Sequence, residues 1–132
     1  HGYTKEEHKM IDETRKILHK ENLKISATCV RVPVAHSHGV SIRVKLQENV
    51  SVQDIKDVLS KQEGITVVDD PSQNIYPVST LSNGTDDVYV GRIRKDLFDD
   101  YTVLLYCVAD NIRKGAASNA VQIMMNLMNE EV

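Results

Sequence analysis

Tryptophan is absent and phenylalanine occurs once among 132 residues. No large aromatic cluster can carry the interior, and the core has to be built from Val, Ile, Leu, Met and Ala. Long apolar runs are missing as well. The longest, such as Val103 to Ala109, fall far short of the roughly 18 to 20 residues that a bilayer-spanning helix needs. Nor is there the charged-then-apolar opening of a secretory signal, so a cytoplasmic, non-membrane protein is expected. One-sided charge is lacking too: 16 Lys and Arg stand against 19 Asp and Glu, a net charge of -3. With the signs mixed there is no basic field to hold nucleic acid. Only two cysteines occur, Cys29 and Cys107, both inside apolar stretches. That pattern predicts reduced, buried thiols rather than a disulfide framework, and neither thiol has the polar, exposed setting of an activated nucleophile.

What is present suffices for one folded domain covering residues 1–132. Hydrophobic residues make up 41% and charged residues 27%, the proportions of a globular chain rather than a disordered one. The sequence opens His1-Gly2-Tyr3, without Met and directly before a helix signal, and therefore reads as a segment of a longer protein.

Thr4 and Glu7 have capping-box spacing, and Met10, Ile11, Thr14, Ile17 and Leu18 recur on one helical face, predicting a helix from about Lys5 to His19. Lys24 to Val34 is β-branched and alternating, and Val40, Ile42, Val44 and Leu46 alternate with polar residues. Two strands joined by the turn His36-Ser37-His38-Gly39 follow from this. Ser51 announces a second helix that stops near Gly64, and Ile65 to Val68 reads as a short strand. Asp69 to Asp87, rich in Pro, Asn, Ser, Gly and Asp, is a long irregular loop. Val88 to Arg94 and Thr102 to Ala109 are two further strands. The second lacks a polar face and should be central and covered on both sides. A final helix from about Ile112 to Asn129 presents a wide apolar stripe that needs a partner. With so few crossover helices the fold class is α+β, a mostly antiparallel or mixed sheet covered by helices.

His36 and His38 beside Gly39, shortly after Arg31, would suit an anionic substrate needing proton transfer, because arginine grips carboxylate or phosphate with a planar fork. A surface histidine beside a salt-bridged arginine gives the same pattern. His36-x-His38 is also a two-ligand metal pair, but no third ligand lies nearby and no metal is expected. Glu6, Glu7 and Lys9, read alone, are solvated charge on a first helical turn. Gly115-Ala116-Ala117 would admit another backbone or a flat ligand, although small helical residues also simply pack.

Four segments in this order, GYTKEEHKMIDETRKIL, ATCVRVPVAHSH, VYVGRIRKD and NIRKGAASNAVQ, resemble the C-terminal, substrate-binding and dimerisation domain of the aspartate-semialdehyde dehydrogenase family. The resemblance covers nearly the whole chain. It implies a sheet like that of the glyceraldehyde-3-phosphate dehydrogenase C-terminal domain. It also implies part of an enzyme that reversibly reduces aspartyl phosphate with NADPH to aspartate semialdehyde and phosphate, serving lysine, threonine and methionine biosynthesis. In that family a cysteine forms a covalent thioester and a histidine moves the proton.

By the same resemblance Arg31 binds the substrate carboxylate, Glu6 meets the amino group, Lys9 contributes to the phosphate site and His38 is the acid-base group. His38 keeps the family interval after Arg31 and brings Asn49 to Val52 into register with the next helix, where His36 would require compensating insertions. The family turn usually has Ser or Thr after its histidine, and Gly39 departs from that. Gly115 and Asn119 become candidate cofactor contacts, and the final helix is expected to pack on an N-terminal nucleotide-binding domain. That domain's Gly-rich loop and nucleophile motif are not among these residues. The chain alone should therefore be inactive, and the whole protein a homodimer or homotetramer using NADP. Alternatives are another acyl-phosphate reductase, such as the N-acetylglutamyl phosphate enzyme, in which Glu6 would have no amino group to meet, or a dimerisation module without catalysis.

Overall fold

The computed structural model describes residues 2–130; His1, where the sequence begins without Met, lies outside them. The chain divides into two compact units, His1–Pro33 and Val34–Val132.

In the first unit α1 spans Lys5–Ile17. The Thr4 hydroxyl accepts the Glu7 amide at 3.2 Å and the Thr4 amide donates to Glu7 Oε2 at 2.7 Å, the reciprocal capping box foreseen from spacing. The helix ends two residues before the predicted His19, which instead takes a left-handed conformation with φ of 52°. Of the predicted apolar stripe, Ile11 and Thr14 are half-buried, whereas Met10, Ile17 and Leu18 are exposed.

The strand expected at Lys24 to Val34 does not form. Burial still alternates, with Leu23, Ile25, Ala27 and Cys29 half-buried and Lys24, Ser26, Thr28 and Val30 exposed, yet no ladder joins this segment to any other among the described residues. The reason lies in what the apolar side faces. Arg15 Nε donates to the Leu23 carbonyl at 3.0 Å, and the Cys29 amide donates to Glu7 Oε1 at 2.9 Å. The segment thus lies along a helix, whose backbone groups are already used within the helix and cannot offer a row of partners.

The second unit is a four-stranded mixed sheet of order β1-β4-β3-β2, formed by β1 (His38–Lys45), β2 (Ile65–Val67), β3 (Val88–Lys95) and β4 (Thr102–Ala109). Neighbours β1 and β4, and β3 and β4, are antiparallel, while β2 and β3 run parallel. The α+β architecture is therefore as predicted, with β4 in the interior. Helix α2 (Val52–Ser60) starts at Ser51, whose hydroxyl accepts the Asp54 amide. It lays Val52, Ile55 and Leu59 over the core of Val90, Ile93 and Val103. On the opposite face of β4, Thr102 and Val108 are buried while Leu104 and Tyr106 stay half-buried, so the strand is less completely covered than its composition suggests. Cys107 and Cys29 are free and half-buried rather than buried; desolvation pushes the Cys107 thiol up.

Strand β3 carries a bulge between Gly91 and Arg94, with Arg92 in the left-handed region at φ of 55°. Asp69 holds it there: its carboxylate accepts the amides of Arg92 at 2.8 Å and Ile93 at 3.2 Å and pairs with Lys56 of α2 at 2.8 Å. The loop 69–87 is irregular apart from short 3-10 turns at Pro71–Gln73 and Ser79–Leu81. After β4 the chain enters a wide π turn at Arg113–Ala117, not the plain helix predicted from Ile112, and then α3 (Ser118–Glu130). The α3 residues Val121, Ile123, Met124, Met125, Leu127 and Met128 are all more than half exposed. None of the helices of the described residues is long and apolar enough to cross a membrane.

Candidate active site

Three of the residues singled out above lie in the first unit. The segment from Leu23 to Cys29 runs back along α1, Leu23 opposite Arg15 and Cys29 opposite Glu7. Cys29 Sγ lies 3.4 Å from Met10 Sδ. Arg31 follows Cys29 by two residues, and Glu6 and Lys9 flank Glu7, whose carboxylate accepts the Cys29 amide. Arg31 is exposed and makes no side-chain hydrogen bond or ion pair among the described residues. Glu6 and Lys9 pair with each other at 3.7 Å with side chains 64% and 56% exposed. An ion pair that open is worth at most about 1 kcal/mol, so a ligand carrying both charges can displace it.

The residue that assembles this end is Glu7, which the sequence marked only as a cap. It is 7% exposed, and the Thr4 and Cys29 amides hold its carboxyl below the usual carboxylate range. Its capping role was legible in the S/T-x-x-E spacing; its reach across to Cys29 left no mark in the sequence.

The second unit holds His36, His38, Gly115 and Asn119. His38 is not in a turn but opens β1, its backbone opposite Ala109 of β4. Gly39 follows for a steric reason: a Cβ there would stand 2.1 Å from the Tyr106 hydroxyl and 2.9 Å from its ring carbon. Just upstream, the Ser37 amide donates to Asn111 Oδ1 at 2.9 Å, and the hydroxyl of Ser82, wholly buried, lies 3.1 Å from the Ser37 hydroxyl.

Next to Ala109 is Asp110, 3% exposed. Its carboxylate accepts the amides of Gly84 at 2.8 Å, Ile112 at 2.8 Å and Arg113 at 3.2 Å. These amides, that of Gly84 foremost, keep the carboxyl below its usual range, with the charge of His36 adding to the effect. Asp86 grips Arg113 through two bonds, 3.0 Å to Nε and 2.7 Å to Nη2, and also accepts the Ser118 hydroxyl. This pairing pushes the Asp86 carboxyl down to about 2. The 69–87 loop, the start of β1 and the head of the last helix are thereby locked together.

Gly115 lies inside the π turn, where an added Cβ would meet nothing closer than 3.8 Å, so the fold itself does not demand glycine there. Asn119 is exposed in the first turn of α3 and has no side-chain partner among the described residues. Neither the π turn nor Ser82 had a signal in the sequence. Asp110 did, as an acidic residue two places before the first helical amides.

Comparison with known proteins shows the family. The model of the semialdehyde dehydrogenase dimerisation domain matches residues 1–114. Aspartate-semialdehyde dehydrogenase of Aquifex aeolicus is 50% identical over 98% of this chain, and that of Bacillus subtilis 47% identical over 96%. The chain spans only 38% and 37% of those two relatives. Among solved structures, aspartate semialdehyde dehydrogenase II of Vibrio cholerae, complexed with ASA, superposes with a TM-score of 0.77 at 37% identity, over 99% of this chain and 38% of that one. A probable aspartate-semialdehyde dehydrogenase from Pseudomonas aeruginosa gives 0.76 at 31% identity, over 99% of this chain and 39% of that one. With the family model matching most of its length, the chain belongs to the semialdehyde dehydrogenase dimerisation-domain family.

Proposed function

We propose that this chain is the C-terminal, substrate-binding and dimerisation domain of an aspartate-semialdehyde dehydrogenase, which reduces aspartyl phosphate to aspartate semialdehyde and phosphate and runs in reverse. The observation that carries the reading is the 50% identity to a protein of that name over 98% of this chain, together with the exposed Arg31 guanidinium and an exposed carboxylate and ammonium, Glu6 and Lys9, that pair only weakly with each other. Residues 1–132 act as one working domain, with the apolar side of α3 packing on an N-terminal nucleotide-binding domain, in a homodimer or homotetramer in the cytoplasm.

Arg31 grips the substrate carboxylate through its fork, which no side-chain partner among the described residues occupies. Glu6 receives the substrate ammonium and Lys9 the phosphate; the weak pair they form with each other gives way to a ligand that satisfies both. His38 holds and moves the proton at the reacting carbonyl oxygen, a contribution of roughly 100- to 10,000-fold in rate. NADP, when bound, supplies or accepts the hydride. The open space at Gly115 and the unpaired amide of Asn119 fit contact with a flat ring, while the dinucleotide as a whole is held by the other domain.

The test is phosphate- and aspartate-semialdehyde-dependent NADP reduction by the full-length protein that carries this chain. Activity should appear, His38→Ala should lower kcat by at least about 100-fold with little change in KM, and Arg31→Ala should act mainly on KM. Activity with the N-acetylated five-carbon substrate in place of aspartate semialdehyde, or an undiminished kcat in His38→Ala, refutes the reading.

A further inference from the structure

The residue before His38 is held from two directions by groups that the proposed chemistry does not use. Its amide donates to Asn111 Oδ1 at 2.9 Å. Its hydroxyl lies 3.1 Å from the buried Ser82 hydroxyl, which also donates to the Ser79 carbonyl at 3.0 Å. Beyond it, His38 itself enters the ladder opposite Ala109. Asn111 in turn sits between Asp110, fastened to three amides, and the π turn, fastened through Arg113 to Asp86.

A surface turn that only had to connect two elements would not need a fully buried serine and an asparagine reaching 74 positions along the sequence. We infer that Asn111 and Ser82 are positioning residues for His38: they fix the backbone of Ser37 so that the imidazole leaves β1 at one defined angle.

This rests on the role proposed for His38, and it adds a physical cost for losing the brace. Proton transfer needs the imidazole within hydrogen-bond reach of the reacting oxygen, and a displacement of about 1 Å can cost on the order of 100-fold. Removing the Asn111 acceptor releases the Ser37 amide without touching the substrate groups Arg31, Glu6 and Lys9. The loss should therefore fall on kcat rather than KM.

In the full-length protein, Asn111→Ala is expected to lower kcat about 10- to 100-fold with KM changed less than about 3-fold. Asn111→Asp, which keeps an acceptor at the same place, should return kcat to within about 3-fold of the parent, and Ser82→Ala should cost about 3- to 10-fold. The deciding measurement is a double-mutant cycle. Placed on His38→Ala, the Asn111→Ala change should cost nothing further, because the group it positions is gone. An equal loss with and without His38, or an Asn111→Asp variant no better than Asn111→Ala, overturns the inference and leaves Asn111 a structural residue. A His38→Ala enzyme with undiminished kcat instead overturns the proposed role of His38, a different failure. Should Asn111→Ala not fold, Ser82→Ala takes its place in the same cycle, read by the same criteria.

Discussion

Residues 23–30 alternate and strand β4 is apolar on both faces, so both read as strands from the sequence, yet only β4 is in a ladder. Strand β4 lies between β1 and β3, and its Val108 is opposite Gly39 on one side and Tyr89 on the other. The segment before Pro33 has its apolar side on α1, which offers one carboxylate and a few side chains but no row of backbone groups. Alternation therefore reports a two-sided environment and is silent on what forms each side. A sheet and a helix both satisfy it.

The sharpest way to break the contrast is proline, which removes a donor and fixes φ. Val108→Pro should cost more than about 3 kcal/mol and abolish the cooperative unfolding transition in circular dichroism. Val103→Ala, which trims the most deeply buried apolar side chain of the core cluster without touching the ladder, should cost about 2 kcal/mol in urea unfolding. Ser26→Pro, on the exposed side of the unpaired segment, should cost under about 1 kcal/mol, because its amide makes no hydrogen bond among the described residues. A loss at position 26 as large as that at 108 would mean that the two segments are paired alike after all.

The smallest effect expected concerns pH. The Asp86 carboxyl, lowered to about 2 by Arg113 and Ser118, gives stability that is fully present above the usual carboxylate range and drains away as pH falls toward 2. Arg113→Ala should bring its midpoint back up toward the ordinary value, read by carbon-detected carboxyl titration. An unchanged midpoint would show that Arg113 is not its cause.

Local signals were legible where one residue type does one job. The Thr4–Glu7 box, the Ser51 cap and the strands β3 and β4 all follow from spacing and composition. The family resemblance, too, rested on short segments, three of which lie wholly within residues 1–114 that the family model matches, while the fourth begins there at Asn111. What escaped the sequence depends on long-range pairing. Glu7 reaches Cys29, Asn111 reaches Ser37 and Asp69 pins the bulge at Arg92. Nothing near these residues announces a partner dozens of positions away. The π turn escaped for another reason: Arg113–Ala117 has ordinary helical composition, and its wider winding follows from bonds that start at Asp110 and Ile112.

The crowding of Gly39 by Tyr106 limits the paths by which this sequence can drift. A side chain such as serine or threonine at position 39 would meet the Tyr106 phenol where it now stands. The tyrosine has to shrink or swing aside to admit it. The two positions are thus coupled, and a hydroxyl beside the histidine should be accommodated more readily with a smaller side chain at 106 than with the tyrosine.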